Sequence, residues 1–403
     1  MSIRVLIFFV RLWKAAMIKA VLLDLDNTLL HNPDREWVAA FRQQWDRHFD
    51  TCYGIENASS ALRNAIDGLN SDSPAYNTNA ATILDALAVE MSLERERISA
   101  SMASFYQESY RSLQSATSPV IMAAELVETL LAQNLLVAIA TNPLFPESAT
   151  RERIAWAGLG EFLTEFAFIT NSENMHFAKP SPAYFAETVA RVGVEPDETL
   201  VIGDSKRNDI DPARAIGIHT WQVHASDGLR PIHKRVREAS WEQDFLPQPP
   251  QPGALSPQLK GNIAALYGLL AEVKPNQWLQ RPDPDEWSIM QILCHLWQSE
   301  ESVHRARLQT ILHHADPFIA APPPPGPDIP PCHEDGYEVL YCFQQEREAT
   351  IDLLSSLKPM QWGRPARHSI FGLTDLLEMA HFTAQHDRLH ITQLCQTLGK
   401  CAE

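Results

Sequence analysis

The run at residues 21–30, VLLDLDNTLL, constrains this chain more than any other stretch. Val21, Leu22 and Leu23 are apolar without alternation, which predicts a strand buried on both faces in the middle of a parallel sheet. The run then ends in Asp24, Asp26 and Thr28. Doubly wound sheets bind ligands beyond the carboxyl ends of their strands, so the two aspartates are expected to line a site. Side chains at alternate strand positions share a face, and as the chain leaves the strand both carboxylates can lean towards one ligand. Two unpaired carboxylates in a core are costly, whereas a divalent cation tolerates both.

The remainder of the first half supplies the neighbours such a strand needs. Strands are expected at 135–140, ending in Thr141-Asn142, at 166–169, at 199–202, ending in Gly203-Asp204-Ser205, and at 218–223. Helical patterns at 122–133, 147–156 and 182–192 alternate with them. Each polar cluster follows a strand end except Lys179, which stands in a loop before a helix. That placement fits one catalytic edge of a doubly wound sheet. Residues 31–119 read as a helical insertion: Trp37, Phe41, Trp45 and Phe49 recur at spacing four, and 80–87 and 98–113 continue in the same style around a break at 70–79. The aromatic stripe is expected to be the insertion's own core.

A length of 403 residues with 45% hydrophobic content implies a globular chain of two or three domains. A formal charge of −17 argues against nucleic-acid or anionic-membrane partners bound mainly through charge. The six cysteines form no CxxC pair and lack disulfide-scaffold spacing, which favours a reducing, cytoplasmic setting. Residues 1–17 read as an over-long start, with Met17 as the natural first residue, or as an N-terminal extension. The apolar run at 5–10 is short for a signal peptide or a membrane span, and an interfacial anchor is the alternative reading.

In order, DLDNTLL, ATN, AKP and VIGDSKRNDI resemble the four motifs of the haloacid dehalogenase-like (HAD) hydrolase superfamily over about half the chain. The resemblance implies a magnesium-dependent phosphatase acting on a small phosphorylated metabolite. Asp24 would be the nucleophile that forms an acyl-phosphate, and Asp26 would protonate the leaving oxygen and then deprotonate water. An aspartate at position 26 favours phosphoester over carbon–halogen cleavage, because haloacid dehalogenases lack it and pump ATPases carry threonine there. Thr28 would fix the turn or orient Asp26. Thr141 and Asn142 would hold the phosphoryl group, and Lys179 would neutralise charge on it and on the nucleophile. Magnesium would bind Asp24, the main-chain carbonyl of Asp26 and Asp204, with Asp209 in support. For Asp209, capping of the following helix stands level with metal support; for Asp211, capping stands ahead. The insertion corresponds in position to the helical cap of many superfamily members, a lid that excludes water.

Composition changes past His224. Residues 226–255 read as a linker, most clearly from LPQPPQPGALSP at 246–257, and residues 256–403 as four helices at 259–273, 287–314, 337–357 and 374–398. The proline-rich stretch at 321–331 is expected to cross the bundle's end as a stiff loop. His386 and His390 stand at i and i+4, and His295 sits mid-helix beside Cys294 and Leu296. Three imidazoles converging in a bundle would suit zinc, nickel or another borderline divalent metal with a position left for water. WSIMQILCHLWQSE followed downstream by HDRLHITQL resembles the DinB-like four-helix bundles, and this resemblance implies a metal at His295, His386 and His390. His304 and His381 are then spare, and Cys294 and Cys395 read as small buried residues.

The expected fold class is α/β plus all-α: a HAD-like doubly wound parallel sheet (18–225) with an inserted helical cap (31–119), then a DinB-like bundle. The expected function is a phosphatase with a second divalent metal in the bundle. Two alternatives stand beside it. The bundle could carry the main activity as a metal-dependent transferase or hydrolase, or it could be a non-catalytic module that forms a homodimer.

Overall fold

The computed structural model describes residues 17–69, 75–323 and 325–401. The readings of residues 1–16, and of the part of the 70–79 break up to residue 74, lie outside the described residues. The chain divides into two compact units, one formed by Met17–Thr188 with Pro196–Phe245, the other built on Leu246–Glu403.

In the first unit β1, Ala20–Leu23, is fully buried and lies at the centre of a five-stranded parallel sheet. Its neighbours are β4, Leu136–Ile139, and β6, Thr199–Gly203, with Leu22 registered against Ala138 on one side and Val201 on the other. The edges are β5, Phe168–Ile169, and β7, His219–Gln222, giving the order β5-β4-β1-β6-β7. A strand hydrogen-bonded on both edges and covered on both faces has no solvated side, which is why its sequence is apolar throughout. This order also puts the ends of β1, β4 and β6 side by side, so the polar residues after all three meet.

The insertion leaves β2, Leu30–His31, and returns through β3, Ser118–Pro119; the two pair antiparallel as its base. Between them run α1, Asp34–Tyr53; α2, Ala58–Asp67; α3, Asn79–Met91; and α4, Arg95–Glu108. The aromatic stripe of α1 is buried, with Phe41, Trp45 and Phe49 packed edge-on or tilted against Phe105 or Tyr53. Trp37 and Phe41 depart from that expectation, because their rings also meet Phe145 outside the insertion, at 5.8 and 5.7 Å. The core is completed by α5, Ala123–Ala132; α6, Glu147–Trp156; and α7, Pro182–Val192.

Residues 226–245 are not the linker expected from composition, whereas residues 246–251 are irregular and mostly exposed. Arg230–Val236 forms α8, whose Ile232 and Val236 are buried, and the buried Trp241 donates its indole N–H to Gln133 Oε1 at 2.9 Å. One apolar face among basic residues is enough to dock this helix on α5. The second unit likewise begins early: α9, Pro252–Leu270, runs through Pro257 because Ala254 and Leu255 are already buried in the bundle. Pro252 stands at the first helical position, where its missing N–H costs nothing, whereas Pro257 lies inside the helix and forgoes one backbone bond.

The bundle continues with α10, Ile289–Ser299, a π-helical turn at Glu300–Arg305, and α11, Ala306–His313. Then come α12, Gly336–Ser355, and α13, Leu376–Cys401. Ser288 and Gln291 cap α10 reciprocally. A small sheet unforeseen in the sequence joins β8, Phe318–Ile319; β9, Pro365–His368; and β10, Gly372–Asp375. The proline-rich crossing is irregular where described and is pinned to α10: Gln291 Nε2 donates to the carbonyls of Pro327 and Ile329 at 3.1 and 2.7 Å. Among the described residues no helix is long and apolar enough to cross a membrane.

That pinning corrects the reading of the cysteines. Cys294 is not a lone buried thiol but is disulfide-bonded to Cys332 at the end of the crossing, while Cys52, Cys342, Cys395 and Cys401 are free. Thiol titration of the denatured, unreduced protein is therefore expected to count four thiols, rising to six after reduction. Six without reductant would contradict the pairing.

Candidate functional site

Three strand ends and one loop assemble the first site. Asp24 follows β1 directly, and Thr28 Oγ1 donates to Asp24 Oδ2 at 3.0 Å, so Thr28 orients Asp24 rather than Asp26. Lys179 is buried, with Nζ 2.7 Å from Asp24 Oδ1 and 2.5 Å from Asp209 Oδ1. Carboxylate oxygens of Asp24, Asp204 and Asp209 lie within 4.8 Å of one another. Burial pushes the Asp24 carboxyl up to about 7, with the Lys179 charge opposing and Asp209 and Asp204 adding to the rise. Burial disfavours the Lys179 ammonium, but the two carboxylates beside it outweigh that and carry its pKa above the ordinary lysine value.

The question of capping at Asp209 has a structural answer. Its Oδ2 accepts the Ser205 amide at 2.9 Å and its Oδ1 accepts Lys179, whereas Ser205 Oγ caps the turn by accepting the Asn208 amide at 3.1 Å. Asp211 is not a cap either; it pairs with Lys206 at 3.4 Å, and Ile210 occupies the cap position. Thr141 is buried at the end of β4, and its Oγ1 has no hydrogen-bond partner among the described residues. Asn142 Oδ1 accepts the Lys179 amide at 3.2 Å and so ties the lysine loop to β4. Asp26, half-buried, accepts from Asn32 Nδ2 at 3.2 Å and from Arg153 Nη2.

Arg153 was not singled out in the sequence. It is buried on α6, its guanidinium lying over the rings of Trp37 and Phe145 at 5.0 and 5.3 Å. Burial lowers its pKa to about 10, opposed by the Asp24 charge, so it is a cation at neutral pH.

The second site brings His295, His386 and His390 together, with one nitrogen from each within 4.8 Å of the others. His295 Nε2 stands 3.3 Å from His386 Nε2. The Nδ1 atoms are occupied from behind: Ser299 Oγ at 3.3 Å for His295, His304 Nε2 at 3.2 Å for His386 and Gln393 Oε1 at 2.8 Å for His390. This arrangement leaves Nε2 of each ring for a shared ligand, the pattern of supporting bonds behind metal-binding histidines. Burial, with His390 adding, lowers His295 to about 3; burial lowers His390 to about 4 and carries His386 well below its usual range. All three are neutral at pH 7, the ligating form. His304 is therefore not spare. Beneath the histidines, buried Arg347 Nη2 meets Glu300 Oε2 at 2.7 Å and Asp387 Oδ1 at 2.8 Å, and Asn262 Nδ2 donates to Asp387 Oδ2 at 3.2 Å.

Gly203 admits Asp209 to this arrangement. A Cβ at residue 203 would stand 2.5 Å from Asp209 Cγ, so Gly203→Ala must displace the carboxylate from Lys179. The expected cost is about 1–3 kcal/mol in chemical denaturation. Gly160→Ala, whose Cβ meets only Ala155 Cβ at 3.6 Å and its Cα, is expected to stay within about 0.5 kcal/mol of the parent. Equal effects of the two would contradict this packing.

Comparison with known proteins matches residues 18–217 to the haloacid dehalogenase-like hydrolase family model and residues 258–394 to that of the DinB superfamily. The chain is similar to haloacid dehalogenase-like hydrolase domain-containing protein 3 of Danio rerio, 36% identical over 68 residues, 17% of this chain and 28% of that protein. It is also similar to the phosphoserine phosphatase of Thermus thermophilus, 30% identical over 99 residues, 25% of this chain and 37% of that one. The chain thus spans roughly a third of the length of the curated relatives it matches. Among solved structures, YfiT from Bacillus subtilis, a probable metal-dependent hydrolase with an unusual four-helix bundle topology, covers 36% of this chain and 85% of its own at 18% identity and a TM-score of 0.32. A HAD phosphatase from Thermococcus onnurineus covers 51% and 86% at 19% identity and a TM-score of 0.34. Residues 18–217 belong to the haloacid dehalogenase-like hydrolases and residues 258–394 to the DinB superfamily, two families joined in one chain.

Proposed function

We propose that the first unit is a phosphatase that hydrolyses a small phosphomonoester through a phosphorylated Asp24. The observation that carries this reading is the buried Lys179 ammonium shared between Asp24 and Asp209, with Asp204 beside them. Asp24 attacks phosphorus with the oxygen not held by Thr28, forming the P–O bond as the bond to the leaving alcohol breaks. Asp26 gives its proton to that alcohol oxygen. In the second half-reaction Asp26 takes a proton from water, the water oxygen bonds to phosphorus, and the bond to Asp24 breaks to release inorganic phosphate. Thr141 offers its hydroxyl, which has no partner among the described residues, to the phosphoryl oxygens, and Lys179 balances their charge.

Three carboxylates face one ammonium here, and an oxygen-only donor set with excess negative charge fits a hard divalent cation. Asp24, Asp204 and the main-chain carbonyl of Asp26 would hold magnesium, with Asp209 in support. When bound, it supplies positive charge against the transferring phosphoryl group. The helical insertion would act as the lid that keeps bulk water from the acyl-phosphate.

The second unit supports a separate reading: three neutral imidazoles, each braced through Nδ1, fit zinc, nickel or another borderline divalent metal with room for water or a substrate. A transferase or hydrolase activity there remains the alternative main function. A module that only brings two chains together needs no such bracing of the three rings.

Phosphate release from a panel of small phosphomonoesters is expected to require magnesium and to fall more than about a thousandfold in Asp24→Asn; turnover comparable to the parent in that variant would contradict the mechanism. Metal analysis after exhaustive dialysis is expected to find a stoichiometric transition metal that disappears in His386→Ala and persists in Asp204→Asn. Its retention in His386→Ala would exclude the histidine site.

A further inference from the structure

The mechanism above leaves a buried cation of the first unit, Arg153, without a task. Arg153 is 1% exposed, closer to full burial than most charged side chains. Its Nη2 donates to Asp26 Oδ1, the carboxylate that addresses the leaving oxygen. Its Nε has no hydrogen-bond partner among the described residues, and neither have the Trp37 indole N–H and the Tyr110 hydroxyl. Trp37 lies under the guanidinium, and the Tyr110 ring stands 6.4 Å from Trp37 and 6.1 Å from Phe145. A purely structural arginine would have its donors satisfied, because a buried N–H without an acceptor is costly. Here unsatisfied donors gather in one aromatic cluster, beside a reacting carboxylate.

The chemistry of the neighbouring groups says what would satisfy them. The phosphoryl group belongs at Asp24, Lys179 and Thr141, whereas Asp26 faces the oxygen of the leaving alcohol. A guanidinium bonded to Asp26 therefore lies on the leaving-group side of the reaction. A planar guanidinium with Nε free presents an edge that two carboxylate oxygens can meet in parallel. Neutral alcohols offer no such acceptor pair. A second phosphate would bring two negative charges next to Asp26, where a single cation is available.

We propose that Arg153 recognises a carboxylate carried by the leaving alcohol, so that the substrates of this site are phosphomonoesters of small hydroxy acids. The proposal rests on the phosphatase reading given above and specifies its substrate class. Trp37 contributes from α1 of the insertion, so substrate recognition spans the lid and the core: the lid residue sets the aromatic wall, and the core residue supplies the charge.

The test compares phosphoglycolate with ethyl phosphate, which keep the same two-carbon alcohol and differ in the carboxylate, using the full chain with magnesium. The expected kcat/KM ratio favours phosphoglycolate by on the order of ten- to hundredfold, the worth of a hydrogen-bonded charge pair. Arg153→Met, which keeps an apolar stem on the rings, is expected to bring the ratio close to one, and Arg153→Lys to retain part of it. Equal kcat/KM for the two esters in the parent protein, or a preference unmoved in folded Arg153→Met, would overturn the assignment while leaving the phosphatase reading intact. The parent comparison decides this even where a variant fails to fold. Hydrolysis of neither ester, nor of p-nitrophenyl phosphate, would defeat the phosphatase reading and this proposal with it.

Discussion

One buried ammonium organises the first unit. Lys179 Nζ sits between Asp24 and Asp209, two carboxylates that could not share a dry sheet edge without it. Removing Lys179 would leave two uncompensated carboxylates in the core, and the geometry is held from every side. Asp24 is tied by Thr28, Asp209 by the Ser205 amide, and the lysine loop by Asn142. Gly203 has no side chain because Asp209 takes the space a Cβ would fill. Asp24, Asn142 and Asp209 follow three different strands, β1, β4 and β6, and Lys179 stands in a loop. The central position of β1 is what lets one lysine reach both carboxylates.

The second unit resolves the same electrostatic problem in the opposite way. Burial there leaves imidazoles neutral, and the charges are confined to a neighbouring network in which Arg347 joins Glu300 and Asp387. Asp387 follows His386 on α13 and Glu300 opens the turn that carries His304, so the network fixes the two elements that bring His304 to His386. The chain thus holds one oxygen-only cluster beside a lysine and one nitrogen-only cluster of neutral rings. Donor sets of these two kinds select different metals.

Much of this was legible in the sequence, and the exceptions have physical causes. The unbroken apolar run of β1, the strand ends at Thr141 and Asp204, and the i, i+4 pair His386 and His390 follow from period and spacing alone. Arg153 was hidden because it reads as one more charged residue in SATRERIAW, and its partners Trp37 and Asp26 come from distant segments. His304 is spare by the resemblance, and nine positions from His295 is half a turn out of phase on an α-helix. The π-helical turn at Glu300–Arg305 absorbs a residue and swings His304 back towards the cluster. Proline content suggested a linker through residue 255, yet the burial of Ala254 and Leu255 outweighed the single backbone bond that Pro257 forgoes. The Cys294–Cys332 pair depends on side-chain bonds that pin an irregular crossing, which no local spacing encodes.

The central claim is that Asp24 becomes covalently phosphorylated. Rapid quenching during turnover, followed by borohydride reduction and peptide mass spectrometry, tests it directly, since reduction of an aspartyl-phosphate leaves homoserine in its place. The account predicts homoserine at position 24, present only with substrate and magnesium and nowhere else in the chain. An actively turning-over protein that shows no reduction at Asp24, or shows it at another carboxylate, would contradict the account.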